Sequence, residues 1–175
     1  MKETLTIENA EIFSRNFSGK AGEYNPPGQR NFCVYLDDET AETLKENLWN
    51  IRYTKPRDPD DSPRPFVQVK VNFENPKRIP NVFLVTSRGA SILKEKDVNI
   101  LDFAEIEYVE LVIRGYQWEE KKPSRVKAYL QSIAVTIKED PIVAKYTNIP
   151  ESAVDTIGGC GSCEACDGSC KTDDD

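Results

Sequence analysis

Apolar and polar residues alternate with a period of two along most of the first 140 residues, which is the pattern of half-buried β-strands. Val67, Val69 and Val71 share one face of such a segment, and polar side chains occupy the other. The pattern predicts seven strands, at about 3–17, 30–36, 49–54, 66–74, 80–88, 106–118 and 124–138.

One segment has helical spacing instead. Ala41, Leu44 and Leu48 recur at the helical interval, and Asp37 or Asp38 can cap the first turn, which predicts a helix at 38–48. A second, shorter helix is expected near 140–146. Strands with one or two short helices and no strand–helix alternation predict a mainly β fold, a small barrel or a sandwich.

The composition changes near Pro150, which predicts a folded domain at 1–150 and a flexible tail at 151–175. The tail holds almost no large apolar side chain, so it cannot bury enough surface to offset its ordering entropy. It has seven acidic residues and one basic residue, a net charge of −6 out of −7 for the whole chain. The nearly neutral remainder can therefore still bind a polyanion if its cations gather on one side.

The chain contains no histidine, which excludes catalytic triads, histidine general bases and histidine-ligated zinc. No run of about 18 apolar residues and no signal-peptide pattern is found, so we expect a cytoplasmic protein with no membrane partner. Acidic clusters occur at 37–39, 58–61 and 119–120, but helix capping, a proline-rich loop and a turn explain them. No phosphate-binding or nucleophile motif is found, which predicts a protein that is not an enzyme.

Arginine alternates with aromatic residues in two of the predicted strands. Arg114, Tyr116 and Trp118 lie opposite an apolar face formed by Val109, Leu111 and Ile113, and the first strand places Phe13, Arg15 and Phe17 on one face. Aromatic rings can stack on unpaired bases while nearby cations contact phosphate, so the pattern predicts a surface for single-stranded nucleic acid. The alternative is that these aromatic residues pack under loops and the cations are ordinary solvated surface.

Four of the five cysteines lie in the tail with the spacing C-x2-C-x2-C-x3-C, at Cys160, Cys163, Cys166 and Cys170. This spacing is found in bacterial ferredoxins, so the cluster is a candidate iron–sulfur or zinc site. The alternative is an oxidisable tail that binds soft metals adventitiously. Cys33 is expected to be a partly buried strand residue.

The segments 7–13, 15–19, 24–28 and 30–32 resemble phage-encoded single-stranded DNA-binding proteins of Gram-positive hosts and related mobile elements. The resemblance covers about residues 3–150. It implies an OB-fold-like barrel that coats single-stranded DNA during replication, recombination or repair and requires no cofactor. It also implies an acidic tail that contacts replication or recombination proteins, to which 173–175 correspond.

The main hypothesis is therefore a non-enzymatic single-stranded DNA-binding protein, and the alternative is a metal- or redox-responsive adaptor that works through the cysteine cluster. The candidate stacking residues are Phe17, Tyr24, Tyr116 and Trp118. The candidate phosphate contacts are Arg15, Lys20, Arg30, Arg52, Arg57, Arg88 and Arg114.

Overall fold

The computed structural model describes residues 3–117 and 125–142. A first compact unit spans residues 1–138, and a second begins at Glu139. The strands described are β1 (Thr4–Ile7), β2 (Ile12–Asn16), β3 (Arg30–Tyr35), β4 (Ile51–Tyr53), β5 (Pro65–Val71), β6 (Asn81–Thr86), β7 (Gly89–Leu93), β8 (Ile106–Gln117) and β9 (Val126–Ile137). One α-helix, α1 (Asp38–Glu46), and one short 3-10 helix (Val98–Asp102) complete the described elements.

The mainly β prediction is confirmed, and all seven predicted strand regions contain strands. Two elements were not predicted: β7, which forms a hairpin with β6, and the 3-10 helix. The expected helix at 140–146 runs past residue 142 and out of the described residues, so it stays a prediction.

The sheet follows the order β1-β8-β9-β5-β3-β2, with β4 beside β5 and the β6–β7 hairpin beside β9. Its pairings are antiparallel except that β9 runs parallel to β5 and to β6. One edge of β9 pairs with β8 along most of its length. The other edge pairs with β5 near Ala128 and with β6 from Ser132 onward, so β9 is the central strand of the fold.

The predicted first strand, 3–17, is divided into β1 and β2, which pair with opposite ends of the sheet. Asn9 between them has a positive φ of 49°. The two residues after Asn9 extend the hydrogen bonding of the connection to β8 and to β3. The Ala10 N–H donates to Val109 O on β8 at 2.8 Å, and the Glu11 carbonyl accepts from Tyr35 N–H on β3 at 3.0 Å. The 8–11 connection therefore spans the two ends of a curved, barrel-like sheet whose strand pairing does not close.

The inner face of the sheet forms the core. Phe32, Val69 and Val135 are among its fully buried side chains. Helix α1 begins after Asp37, whose carboxylate accepts the Thr40 N–H at 2.7 Å, and it adds Ala41 and Leu44 to the core. Cys33 is buried, as expected.

Gly115 allows a tryptophan to pack closely against β8. A Cβ at this position would lie 2.7 Å from the Trp49 ring and 2.8 Å from the Val126 side chain. Trp49 is buried, and its indole N–H donates to Glu3 at 3.0 Å. The ring thereby supports the backbone between Arg114 and Tyr116 from the inner side.

A bulge in β2 changes the predicted pattern of the first strand. Ser14 has a positive φ of 48°, and the pairing with β3 shifts by one residue between Phe13 and Asn16. Because one extra residue exchanges the two faces, Phe13 lies on the outer face and Phe17 is fully buried. The prediction that Phe13, Arg15 and Phe17 share one face is therefore wrong.

Candidate nucleic-acid interface

Four adjacent strands bring polar and aromatic side chains into one row on the outer face of the sheet. Asn31 on β3 pairs with Lys70 on β5, Lys70 pairs with Tyr129 on β9, and Tyr129 pairs with Arg114 on β8. Directly paired residues point to the same side of a sheet. The row thus combines two cations, a tyrosine ring and an amide.

The row lies along two adjoining depressions that share Asn72 and Tyr129, and we call the two together the basic groove. Tyr116 stands beside Tyr129, edge to face, with ring centroids 6.3 Å apart, and it is 37% exposed. The residues that line the groove come from four strands, β3, β5, β8 and β9, and from the connections beside them: Gly28, Gln29, Arg30, Asn31, Lys70, Val71, Asn72, Phe73, Glu74, Asn75, Lys77, Arg78, Arg114, Tyr116 and Tyr129.

The electrostatics of the groove favour an anionic ligand. Burial, together with the positive charge of Lys127, lowers the pKa of Lys70 below its ordinary value. Lys127 pairs with Tyr116 at the far end of the same face. The Nε atoms of Arg114 and Arg30 are buried and make no hydrogen bond within the described residues. Buried donors without partners are costly, so both arginines have unmet hydrogen-bonding capacity next to the groove.

Arg30 stands at the end of the groove next to β3. Its guanidinium pairs with Glu95 at 3.0 Å and lies 5.5 Å from the centroid of the Phe73 ring. Arg30 lines the same depression as Lys70 and Tyr129, and its part in binding DNA stays a prediction.

The loop at 17–29 forms the rim beyond Arg30 and is held by side-chain amides. Asn25 accepts from the Asn31 amide at 2.8 Å and donates to the Gln29 carbonyl at 2.8 Å. Gly28 adopts a φ of +85°, which favours glycine. Tyr24, next to Asn25, is 90% exposed, so the loop presents an open aromatic ring beside the groove.

Lys20 belongs to the same loop but faces another segment. Its ammonium lies 5.3 Å from the centroid of the Phe103 ring, and Phe103 is 78% exposed. The loop is joined to this segment by Asp102, whose carboxylate accepts the N–H groups of Phe17 at 2.6 Å and Ser18 at 3.1 Å.

Two of the candidate residues have structural roles. Arg15 donates to the carbonyls of Leu101 at 2.9 Å and Ala104 at 2.8 Å, so its guanidinium holds the 3-10 helix. Phe17 stacks on Phe32 inside the core, with centroids 5.1 Å apart. A base cannot reach the Phe17 ring in this structure, and we assign Phe17 to the core.

The remaining candidates are not brought into the groove. Arg52 lies on β4 opposite Phe66, Arg57 lies in the proline-rich loop, and Arg88 lies in the turn between β6 and β7. Trp118 and the four tail cysteines fall outside the described residues.

Sequence reasoning missed the groove residues that come from β5, β9 and the 72–78 connection. Lys70 and Tyr129 occupy the polar positions of alternating strands, so the signal that marks them as outward-facing was present. Nothing in the sequence showed that β5 and β9 are parallel neighbours. This pairing places Lys70 next to Tyr129 and so in one row with Arg114.

Residues 3–117 and 125–142 contain no group of three cysteine or acidic side chains arranged to hold a metal ion. The same residues include no helix with the length and apolar character that crossing a bilayer requires. The acidic cluster at 37–39 provides the cap of α1, as predicted.

Residues 1–168 match the family model described as "Putative phage ssDNA-binding domain", and the chain belongs to this family. Among solved structures, the single-stranded DNA-binding protein of bacteriophage Enc34 in complex with ssDNA is similar, with a TM-score of 0.50 and 13% identity over 79% of this chain and 88% of that one. The gp2.5 single-stranded DNA-binding protein of bacteriophage T7 matches with a TM-score of 0.40 and 13% identity over 86% and 97% of the two chains. No curated protein matches. The resemblance to phage single-stranded DNA-binding proteins that was inferred from the sequence is confirmed, and so is the mainly β, OB-fold-like fold.

Proposed function

We propose that this protein binds single-stranded DNA through the basic groove and coats it during phage replication, recombination or repair. The observation that carries the proposal is the row of Asn31, Lys70, Tyr129 and Arg114, in register across four strands. The family to which the chain belongs and the ssDNA complex of the Enc34 protein support the same ligand.

The groove combines the two interactions that single-strand binding requires. Tyr116 and Tyr129 can stack on bases of any sequence, and Lys70 and Arg114 can contact the phosphates between them. Four strands span about 14 Å at the ordinary strand spacing. Tyr24 extends this surface at the rim as a further stacking residue.

The role is non-enzymatic, since the groove supplies stacking faces and cations. We further propose that the acidic tail contacts replication or recombination proteins and competes with DNA for the groove.

The cysteine cluster remains a candidate zinc or iron–sulfur site, and metal analysis of anaerobically purified full-length protein would test it. Less than stoichiometric zinc and iron would leave it a tail without a specific metal.

A titration of the full chain with fluorescently labelled oligo-dT, followed by anisotropy at low and moderate salt, tests the proposed function. We expect binding that weakens as salt increases, because phosphate contacts release counterions. A duplex of the same length should bind more weakly, since its bases cannot reach the tyrosines. No binding of oligo-dT at low salt would contradict the proposal.

A further inference from the structure

A second group of aromatic residues lies on the outer face of the sheet, away from the basic groove. Phe13 stacks on Tyr35 with ring centroids 4.2 Å apart, and it meets Phe66 edge to face at 5.3 Å. The guanidinium of Arg64 lies over the Tyr35 ring at 3.8 Å. We call Phe13, Tyr35, Phe66 and Arg64 the aromatic column.

Arg64 is held flat at the outer end of this column. Its two terminal nitrogens contact the two carboxylate oxygens of Glu11, at 2.8 and 3.3 Å. This pairing lowers the pKa of Glu11 and raises that of Arg64. The charge of Arg64 is therefore matched within the protein, yet 52% of its side chain is exposed. About half of the Arg64 side chain therefore remains open to a ligand.

Strand β5 contributes an outward-facing residue to the column and another to the groove. Phe66 and Lys70 both point outward from β5 and are separated by about 13 Å along the strand. Cys33 and Gln68 pair between them. The depression beside the column is also lined by Lys55, Arg57 and Asp61, so the cations next to the stacking surface outnumber the one carboxylate.

The stacking of Arg64 is not needed to close its own loop. The Thr54 N–H donates to the Arg64 carbonyl at 2.9 Å, and the Arg64 N–H donates to the Thr54 hydroxyl at 2.9 Å. These two hydrogen bonds join the ends of the 54–64 loop through backbone atoms of Arg64. Its side chain is thus available for another role.

Building on the proposed function, we propose that the aromatic column is a second stacking site for the same DNA strand. One base would stack on the guanidinium of Arg64, on the side away from Tyr35. The base would then be the outermost member of a stack that continues through the guanidinium and Tyr35 to Phe13. Lys55 and Arg57 would contact the adjacent phosphates. A strand long enough to leave the groove along β5 would occupy both sites.

The length of the oligonucleotide distinguishes the two sites. The full chain and its variants Arg64→Lys and Arg64→Ala would be titrated with oligo-dT of about 5 and about 15 nucleotides, lengths within the range that single OB folds bind. Lysine retains the charge of arginine and loses its plane. Both variants should bind the long strand about fivefold more weakly and the short strand as the unmodified chain does. Lys96→Ala, in an exposed turn, is the control and should change neither.

A thermal unfolding curve of each variant separates binding from folding. Unchanged affinity of Arg64→Ala for the long strand would overturn the second site, and so would an equal loss for both lengths, since that loss would come from the groove or the fold. If the unmodified chain bound neither strand, the proposed function itself would fail and the second site with it.

Discussion

The basic groove and the aromatic column lie on one face of the sheet but use their arginines differently. In the groove, the Arg114 Nε is buried without a hydrogen bond, and burial together with the charge of Lys127 lowers the pKa of Lys70. In the column, Arg64 is paired with Glu11 and stacked on Tyr35. At Arg114 the groove therefore has a cationic donor without a protein acceptor, whereas Arg64 of the column, like Arg30 at the end of the groove, has a carboxylate partner.

This difference means that the two sites should respond differently to salt. Phosphate contacts at Lys70 and Arg114 release counterions, so binding there depends on ionic strength. Stacking on the neutralised guanidinium of Arg64 releases few counterions and depends mainly on the contact area, so at the column only the phosphate contacts of Lys55 and Arg57 depend on salt. Variants that remove charge and stacking separately can therefore test this difference between the groove and the column.

The largest effect is expected when both groove cations are removed. Lys70→Ala combined with Arg114→Ala should weaken oligo-dT binding by about 3 kcal/mol, roughly a hundredfold, because each charged contact contributes about 1.5 kcal/mol or more. The slope of log K against log salt should become shallower by about 1.4, since each phosphate contact on a single strand contributes about 0.7. Anisotropy titrations at several salt concentrations measure both.

Lys94→Ala combined with Lys96→Ala is the matched control, because these two exposed lysines lie outside both sites. It removes the same charge and should leave the affinity within about twofold. If this control weakened binding as much as the groove variant, net charge rather than the groove would determine affinity.

Removing one groove ring should have the next largest effect. Tyr129→Ala and Tyr116→Ala should each weaken binding by about 1–3 kcal/mol, with little change in the salt dependence, because stacking rather than charge is lost. Tyr129→Phe and Tyr116→Phe keep the ring and should bind nearly as the unmodified chain. Phenylalanine variants as weak as the alanine variants would show that the hydroxyl groups, not stacking, matter.

Local pattern identified the strands, while the site depends on how they pair. Arg114 and Tyr116 were predicted correctly as the outward face of a strand because the alternation in 106–118 is regular and its apolar side is buried. Phe17 was assigned to the binding surface because the alternation was continued through Ser14, where a bulge reverses it. A bulge leaves no reliable mark in the sequence when the residue with positive φ is serine.

Long-range pairing explains what else was missed. Lys70 and Tyr129 are 59 positions apart in the sequence, and their adjacency follows from a parallel pairing that spans only two residue pairs. Tyr35 lies within the predicted strand at 30–36 and was not among the candidate site residues, and its contact with Arg64 depends on where the proline-rich loop returns to the sheet. Composition identified that loop as unusual without indicating which surface it would meet.

Deleting the acidic tail should have a smaller effect of opposite sign. A chain ending at residue 150 loses a net charge of −6 and should bind oligo-dT about threefold to tenfold more tightly at low salt, because the acidic residues no longer compete with phosphate. The gain should disappear in the Lys70, Arg114 double variant, whose groove no longer attracts the tail. Unchanged affinity after the deletion would contradict a competing tail.

The smallest expected effect is a dependence on pH that originates at Lys70. Its pKa is lowered in the free protein by burial and by Lys127, and a bound phosphate would raise it again. Between these two values, binding takes up a proton, so affinity should fall as the pH increases toward the ordinary pKa of lysine. Lys70→Arg should bind at least as tightly and show a flatter profile, because arginine stays charged throughout this range. Stronger binding by the unmodified chain at higher pH would have the wrong sign and would place the ligand phosphates away from Lys70.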